Sequence, residues 1–201
     1  MDVKSRTKAE QSEATRAALL SAAAALFAER GYADTPTEEV VLRAGVTRGA
    51  LYHHFQDKRD LFRAVFEEVE AAFVQRVAAA SAADTGDVMA RLRAGIDAFL
   101  AACTEPAIQR IVLLDGPSVL GWATYRALDA KYGLGLVKGA LHGAMEAGVI
   151  ERQPLDPLAH LFMSALHEAG MLIATAEDPA TARKEVGGTI DRILAGLRPA
   201  R

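Results

Sequence analysis

The chain holds a single cysteine, Cys103, in 201 residues, so it can close no disulfide within itself and has no cysteine pair for a structural zinc site. Long apolar runs are missing too. The longest uncharged stretch, between Arg16 and Glu29, has 12 residues, whereas a membrane-spanning helix needs about 18 or more. Glu10 and Glu13 precede that stretch, which argues against a secretory signal core. The expected location is therefore cytoplasmic, with no membrane partner. Strict alternation of apolar and polar residues, the mark of a half-buried strand, is scarce. No HExxH pattern occurs, and no acidic cluster completes a metal set around His160 and His167 or around His142 and Glu146. Cys103 also lacks an activating base in any catalytic motif. Neither a metal, a cofactor nor a catalytic centre is expected.

What is present is the composition of a folding chain, with 51% hydrophobic and 24% charged residues. The net charge of −3 argues against a nucleic-acid partner until it is divided along the sequence. Residues 1–66 carry 10 basic against 9 acidic side chains, a net +1, and residues 67–201 carry 13 against 17, a net −4. A net +1 is no basic domain, so the position of the positive groups has to decide.

Apolar residues recur three and four apart through segments rich in Ala, Leu, Glu and Arg, which predicts an all-α fold of about nine helices. The first runs from about Gln11 to Arg30, with Gly31 closing it. Thr35-Pro36-Thr37-Glu38 has the pattern of a capping box with proline at the first helical position, and Gly45 ends the short helix that follows. Thr47 then caps a third stretch, Arg48 to Phe55, and Asp57 opens a long helix reaching about Ala82. Asp84-Thr85-Gly86, Glu105-Pro106, Gly116-Pro117-Ser118, Gln153 to Pro157 and Glu177-Asp178-Pro179 mark further boundaries. Asp156-Pro157 and Asp178-Pro179 each read as an N-cap acid before proline. Lys4, Arg6 and Lys8 suggest a loose basic N-terminal arm.

Two short helices joined by a glycine-containing turn, Thr35 to Phe55, have the anatomy of a helix-turn-helix, whose second helix enters the DNA major groove. Val40, Val41, Ala44, Val46, Leu51 and Phe55 can face the first helix, leaving Thr47, Arg48, Gly49, Tyr52 and His53 outward. Gly49 costs about 1 kcal/mol relative to alanine inside a helix, and close approach of a groove would account for it. Lys58 lies within reach of a phosphate at the start of the next helix. His54 reads equally well as a half-buried side chain at the helix end.

The stretch TPTEEVVLRAGVTRGALYHHFQDKRDLF, Thr35 to Phe62, resembles the DNA-binding domain of the tetracycline-repressor family, with GVTRGALYHHFQDK its most specific part. The resemblance is strong over residues 12–66 and beyond them extends only to helix count and length. It implies a helix-turn-helix DNA-binding domain in residues 1–66 and a ligand-binding and dimerisation domain in residues 67–201. The family further implies a homodimeric regulator, usually a repressor, that holds a palindromic operator in double-stranded DNA and releases it when a small-molecule effector binds. Carried across by position, Thr37 falls near phosphate, and Thr47, Arg48 and Gly49 fall at base edges or adjacent backbone. Tyr52, His53, His54 and Lys58 match positions on the phosphate backbone. Arg48 can pair bidentately with guanine and is the expected specificity residue.

Leu158, Leu161, Phe162, Ala165, Leu166 and Ile173 form one apolar stripe near the C-terminus, and Val186, Ile190, Ile193, Leu194 and Leu197 form another. Two such stripes per chain suit a four-helix dimer seam, with intrachain core as the alternative; Gly170, Gly187 and Gly188 suit close packing there. For the effector pocket the candidates are Phe99, Cys103, Trp122, Tyr125, Tyr132, His142, Met163 and His167, with Trp122 and Tyr125 ranked first. A hydrophobic or aromatic, even bulky, compound is expected. A cationic one would want Asp97, Asp115, Asp129, Glu146 or Glu168. The other reading left open is an all-α dimeric module that senses a ligand without touching DNA.

Overall fold

A computed structural model describes residues 7–83 and 87–199. Lys4 and Arg6 of the expected basic arm and the Asp84-Thr85-Gly86 boundary lie outside these residues, whereas Lys8, expected in the same loose arm, is the first residue of a capped helix. Nine continuous helices and no strand are found among the described residues.

The helix ends follow from local chemistry. Helix α1 (Lys8–Arg30) begins three residues ahead of the predicted start. Thr7 and Glu10 form a reciprocal capping box there, with Thr7 Oγ1 accepting from the Glu10 amide at 3.2 Å and Glu10 Oε2 accepting from the Thr7 amide at 2.7 Å. Gly31, at φ 84°, ends it. Helix α2 (Thr37–Ala44) starts without a side-chain cap, contrary to the expected box at Thr35. Thr35 is fully buried and donates its hydroxyl to the Gly31 carbonyl at 2.8 Å, closing the turn back onto α1. Gly45 closes α2 as predicted, in the left-handed conformation, and α3 (Arg48–His54) is capped by Thr47, which accepts from the Ala50 amide at 3.2 Å. Helix α4 (Lys58–Ala83) then runs through the middle of the molecule and packs on α1 and on α5 (Val88–Ala102).

Beyond α5 the chain departs from simple α periodicity. Helix α6 begins as wide π-helical turns over Ile108–Asp115 and continues as Gly116–Leu120. Helix α7 runs from Trp122–Asp129 through a second π segment, Ala130–Leu134, into Gly135–Glu146. The predicted boundary at Gly116-Pro117-Ser118 is therefore no boundary: the wide turn frees the bond that proline cannot make, and the chain breaks instead at Gly121, φ 80°. Helix α8 (Leu155–Ala174) starts one residue before Asp156, so that residue sits inside the first turn and is not the cap. Asp178 does cap α9 (Pro179–Gly196), accepting from Ala180 and Thr181 amides at 3.1 and 3.2 Å.

The core of the first four helices centres on Phe27, Phe62 and Tyr32, with ring centroids 5.3 Å apart for Phe27–Phe62 and 5.2 Å for Tyr32–Phe62. Val40, Leu51 and Phe55 are buried on the same core, so α2 and α3 are anchored by their inward faces. Further along α4, Phe66 and Phe73 pass into a second part of the core built with α5, α6, α7 and α8. Burying each such ring contributes roughly 1.5–3 kcal/mol.

Candidate functional site

Two regions gather the candidate functional side chains. The first is the corner made by α2 and α3. With Leu51 and Phe55 pinned inward, the opposite face of α3 exposes Thr47, Arg48, Gly49, Tyr52 and His53, while Thr37, His54 and Lys58 are half-buried at its edge. Arg48 lies 5.6 Å from the centroid of the Tyr52 ring and 3.2 Å from Glu38 on α2. A Cβ at Gly49 would meet only Thr47 Oγ1, at 3.9 Å. Lys58 is less available: its ammonium sits 4.3 Å from the Tyr32 ring centroid and 3.4 Å from the Ala33 carbonyl, and burial holds its pKa below the usual lysine range.

The second region is a cavity of about 110 Å³ between α4, α5, α6, α7 and α8. Its wall is mostly apolar, with Phe73, Phe99, Val112, Leu113, Phe162 and Met163 among the lining residues. Of the pocket candidates, Phe99, Tyr125, Met163 and His167 line it, and the Tyr125 hydroxyl lies 2.9 Å from His167 Nδ1. Burial holds the His167 pKa below the ordinary imidazole value. Trp122 does not line it. That ring follows the Gly121 break, is 59% exposed, and stacks on the outer side of Tyr125 at 5.8 Å. His142 is exposed on α7 and also lies off the wall. Cys103 is fully buried beside Leu113 and Gly170, and burial pushes its thiol up to about 12. Tyr132 turns instead to Glu67, donating its hydroxyl at 2.9 Å. The volume matches about one aromatic ring, near the ~150 Å³ that accepts benzene in an apolar cavity, rather than a bulky compound.

Sequence reasoning missed Glu70. It is only 3% exposed and lines the cavity, and among the described residues its Oε2 finds no hydrogen-bond partner. Burial, reinforced by Asp129, pushes its pKa up to about 8. The signal was there, for Glu70 interrupts the apolar spacing of Phe66, Phe73 and Val77 on α4. Asp129 is the one of the five acidic candidates that reaches the wall, and it pairs with Arg126 at 3.2 Å.

Contacts tie the cavity to the α1–α4 unit. Gly116 packs so tightly that a Cβ there would lie 2.9 Å from the Phe66 ring and 3.3 Å from the Tyr125 ring. Next to it, Asp115 accepts the Tyr32 amide at 2.7 Å. Arg59, in the first turn of α4, donates to the carbonyls of Val119 and Leu120 at 2.9 and 2.8 Å.

The apolar stripes near the C-terminus divide between core and surface. Phe162, Ile190 and Leu194 are buried within the single chain; Leu158, Leu166, Val186 and Leu197 are half-buried; Ile193 is exposed. Gly170 serves close packing within the chain, where a Cβ would lie 3.1 Å from Leu113. The outer face of α8 presents Leu161, 70% exposed, with Ala165 and Leu172.

The model of bacterial regulatory proteins of the tetR family matches residues 19–65, and that of the tetracyclin repressor-like C-terminal domain matches residues 89–197. A TetR-family transcriptional regulator from Pectobacterium atrosepticum is 36% identical, superposes with a TM-score of 0.86, and is matched over 97% of this chain and 99% of its own. The HTH-type transcriptional repressor BepR of Brucella suis biovar 1 is 52% identical over 60 residues, 30% of this chain and 28% of that protein. The HTH-type transcriptional regulator AcrR of Shigella flexneri is 40% identical over 88 residues, 44% and 40% respectively. The chain thus spans well under half the length of these two curated relatives. It belongs to the TetR family of transcriptional regulators. Among the described residues no helix is long and apolar enough to cross a membrane.

Proposed function

We propose that the chain is a cytoplasmic, homodimeric DNA-binding repressor that leaves a palindromic operator when a small hydrophobic molecule enters the cavity. In this reading residues 1–66 bind DNA, and residues 67–201 bind the effector and the second protomer. The observation that carries it is the exposed face of α3. Arg48 and Tyr52 project from a helix whose inward side is fixed by Leu51 and Phe55, and nothing packed on Gly49 within the described chain calls for a glycine. That open backbone suits the wall of a major groove. Arg48 reads a base edge, helped by Thr47 and Gly49. Thr37, Tyr52 and His53 position the phosphate backbone, with His54 and Lys58 at the edge.

The apolar side chains of Leu161, Leu172 and Ile193, all exposed on α8 and α9, suit an isologous seam. Effector entry displaces Tyr125, and Phe66 and Gly116 pass the shift to Asp115 and the α6 carbonyls held by Arg59. The dimer then favours a different spacing of its two α3 helices. Fluorescence anisotropy with the DNA flanking its own gene, over a salt series and against unrelated duplex, tests the reading. Sequence-selective, salt-steep binding that Arg48→Ala weakens and makes less selective is expected. Equal binding to both duplexes by wild type would refute it.

A further inference from the structure

Resting on the effector-cavity reading above, we propose that the cavity selects a compact apolar ligand bearing one ammonium group, which pairs with the carboxylate of Glu70 beside Asp129. Among the described residues the lining supplies these two carboxyl groups, the His167 imidazole that burial keeps toward its neutral form, and no lysine or arginine, so its titratable groups are acidic in balance. Arg126 answers Asp129 from the side, but among the described residues nothing answers Glu70, whose Oε2 stands unpartnered at 3% residue exposure. The described chain offers that carboxyl group no partner, and because Glu70 lines the cavity a polar group on a bound ligand would supply one. A carboxylate ligand would meet two acids. A neutral carbonyl would accept a single bond from protonated Glu70, whereas an ammonium satisfies the carboxylate by charge and by hydrogen bond together. The rings of Phe73, Phe99 and Tyr125 line the rest of the space, suited to an aryl group and to a cation at its edge. A volume of about 110 Å³ limits the apolar part to about one ring.

Binding moves one proton. The ammonium enters charged, the Glu70 carboxyl loses its proton to solvent, and an ion pair forms. The groups facing Glu70 from the packed elements are Asp129 with Arg126 and Tyr125 on α7, His167 on α8, and Cys103 after α5. Burial keeps His167 toward its neutral form and Tyr125 and Cys103 protonated; burial raises Asp129 as well, but the Arg126 guanidinium opposes that rise, so the unpaired Glu70 is the group taken to titrate on binding. Affinity therefore rises with pH up to about 8 and then levels.

Isothermal titration calorimetry of the full chain with phenethylamine, phenethyl alcohol and phenylacetate tests this without DNA. At pH 8 phenethylamine is expected to bind more than about tenfold tighter than the alcohol, from one charge-assisted hydrogen bond, and phenylacetate weakest. Glu70→Gln should erase the preference for the amine and the rise of its affinity with pH. Alcohol binding as tight as amine, a preference that survives Glu70→Gln, or no binding by any of the three overturns the proposal. Selective DNA binding measured on the same preparation separates such a failure from a failure of the regulator reading.

Discussion

The carboxylate of Asp115 accepts the backbone amide of Tyr32 at 2.7 Å, joining two groups 83 residues apart in sequence. Asp115 ends the π-helical part of α6, next to the glycine packed on Tyr125, while Tyr32 packs against Phe62 beneath the helix-turn-helix. One hydrogen bond thus spans from the cavity wall to the unit that presents α3. Replacing Asp115 by alanine leaves the Tyr32 amide without its partner and is expected to cost about 1–2 kcal/mol of stability in urea unfolding. The same variant should respond to effector less than wild type, with its DNA affinity in the absence of effector changed by a smaller factor. An undiminished response would remove this bond from the coupling path.

Arg48 stands between a proposed DNA face and an acid. Its ion pair with Glu38 is well exposed on both sides, so it contributes little to folding. Glu38 does place negative charge where phosphates are to lie. Glu38→Gln is therefore expected to leave the thermal midpoint nearly unchanged and to raise affinity for both cognate and unrelated duplex at low salt. A fall in affinity would mean that Glu38 orients Arg48 for the base instead of restraining it.

How far the molecule was legible in its sequence depends on how local each signal was. Gly31, Gly45, Thr47 and Asp178 act on neighbours within a turn, and each closes or caps a helix as read. Thr35 was misread because its hydroxyl is spent on the end of α1, a contact that no pattern in the α2 segment reveals. Trp122 and Cys103 lie off the cavity for a different reason. Cys103 closes α5 and packs into the core beside Leu113 and Gly170, and Trp122 opens α7 just after the Gly121 break, placements set by tertiary packing and a chain break that helical spacing does not encode. Glu70 lay in an unbroken α-helix and was readable as the polar member of an apolar stripe. The two C-terminal stripes could be seen but not divided, because both intrachain core and a dimer seam select apolar residues at the same spacing.

Glu70 also leaves a mark on stability. Its pKa in the folded chain, about 8, lies above the ordinary 4.5, so between these values the folded state holds the extra proton. Stability must then fall as pH rises through that window. His167, lowered by burial from its ordinary 6.5, works the other way on the acidic side of that value. Subtracting the Glu70→Gln curve from that of wild type isolates the first effect. The wild type should lose about 2–3 kcal/mol relative to the variant between pH 5 and pH 7. Parallel curves from chemical denaturation at each pH would show that Glu70 ionises freely in the folded chain.

Leu161 is 70% exposed on α8, with Leu172 beside it on the same outer face. In an isologous dimer a substitution appears twice in one interface. Leu161→Glu is expected to turn a sedimenting dimer into a monomer at micromolar concentration with little loss of helicity. A variant that still sediments as a dimer would place the seam elsewhere.

The central claim is that a dimer presents two α3 helices to successive major grooves, and it is tested most directly by selecting bound fragments from random duplex DNA with the full chain. The account predicts an inverted repeat whose half-site centres lie about one helical turn, 10–10.5 base pairs, or a multiple of it apart, and a loss of discrimination in one half-site position when Arg48 is replaced by alanine. Enrichment of single unpaired half-sites, or of no sequence at all, would contradict it.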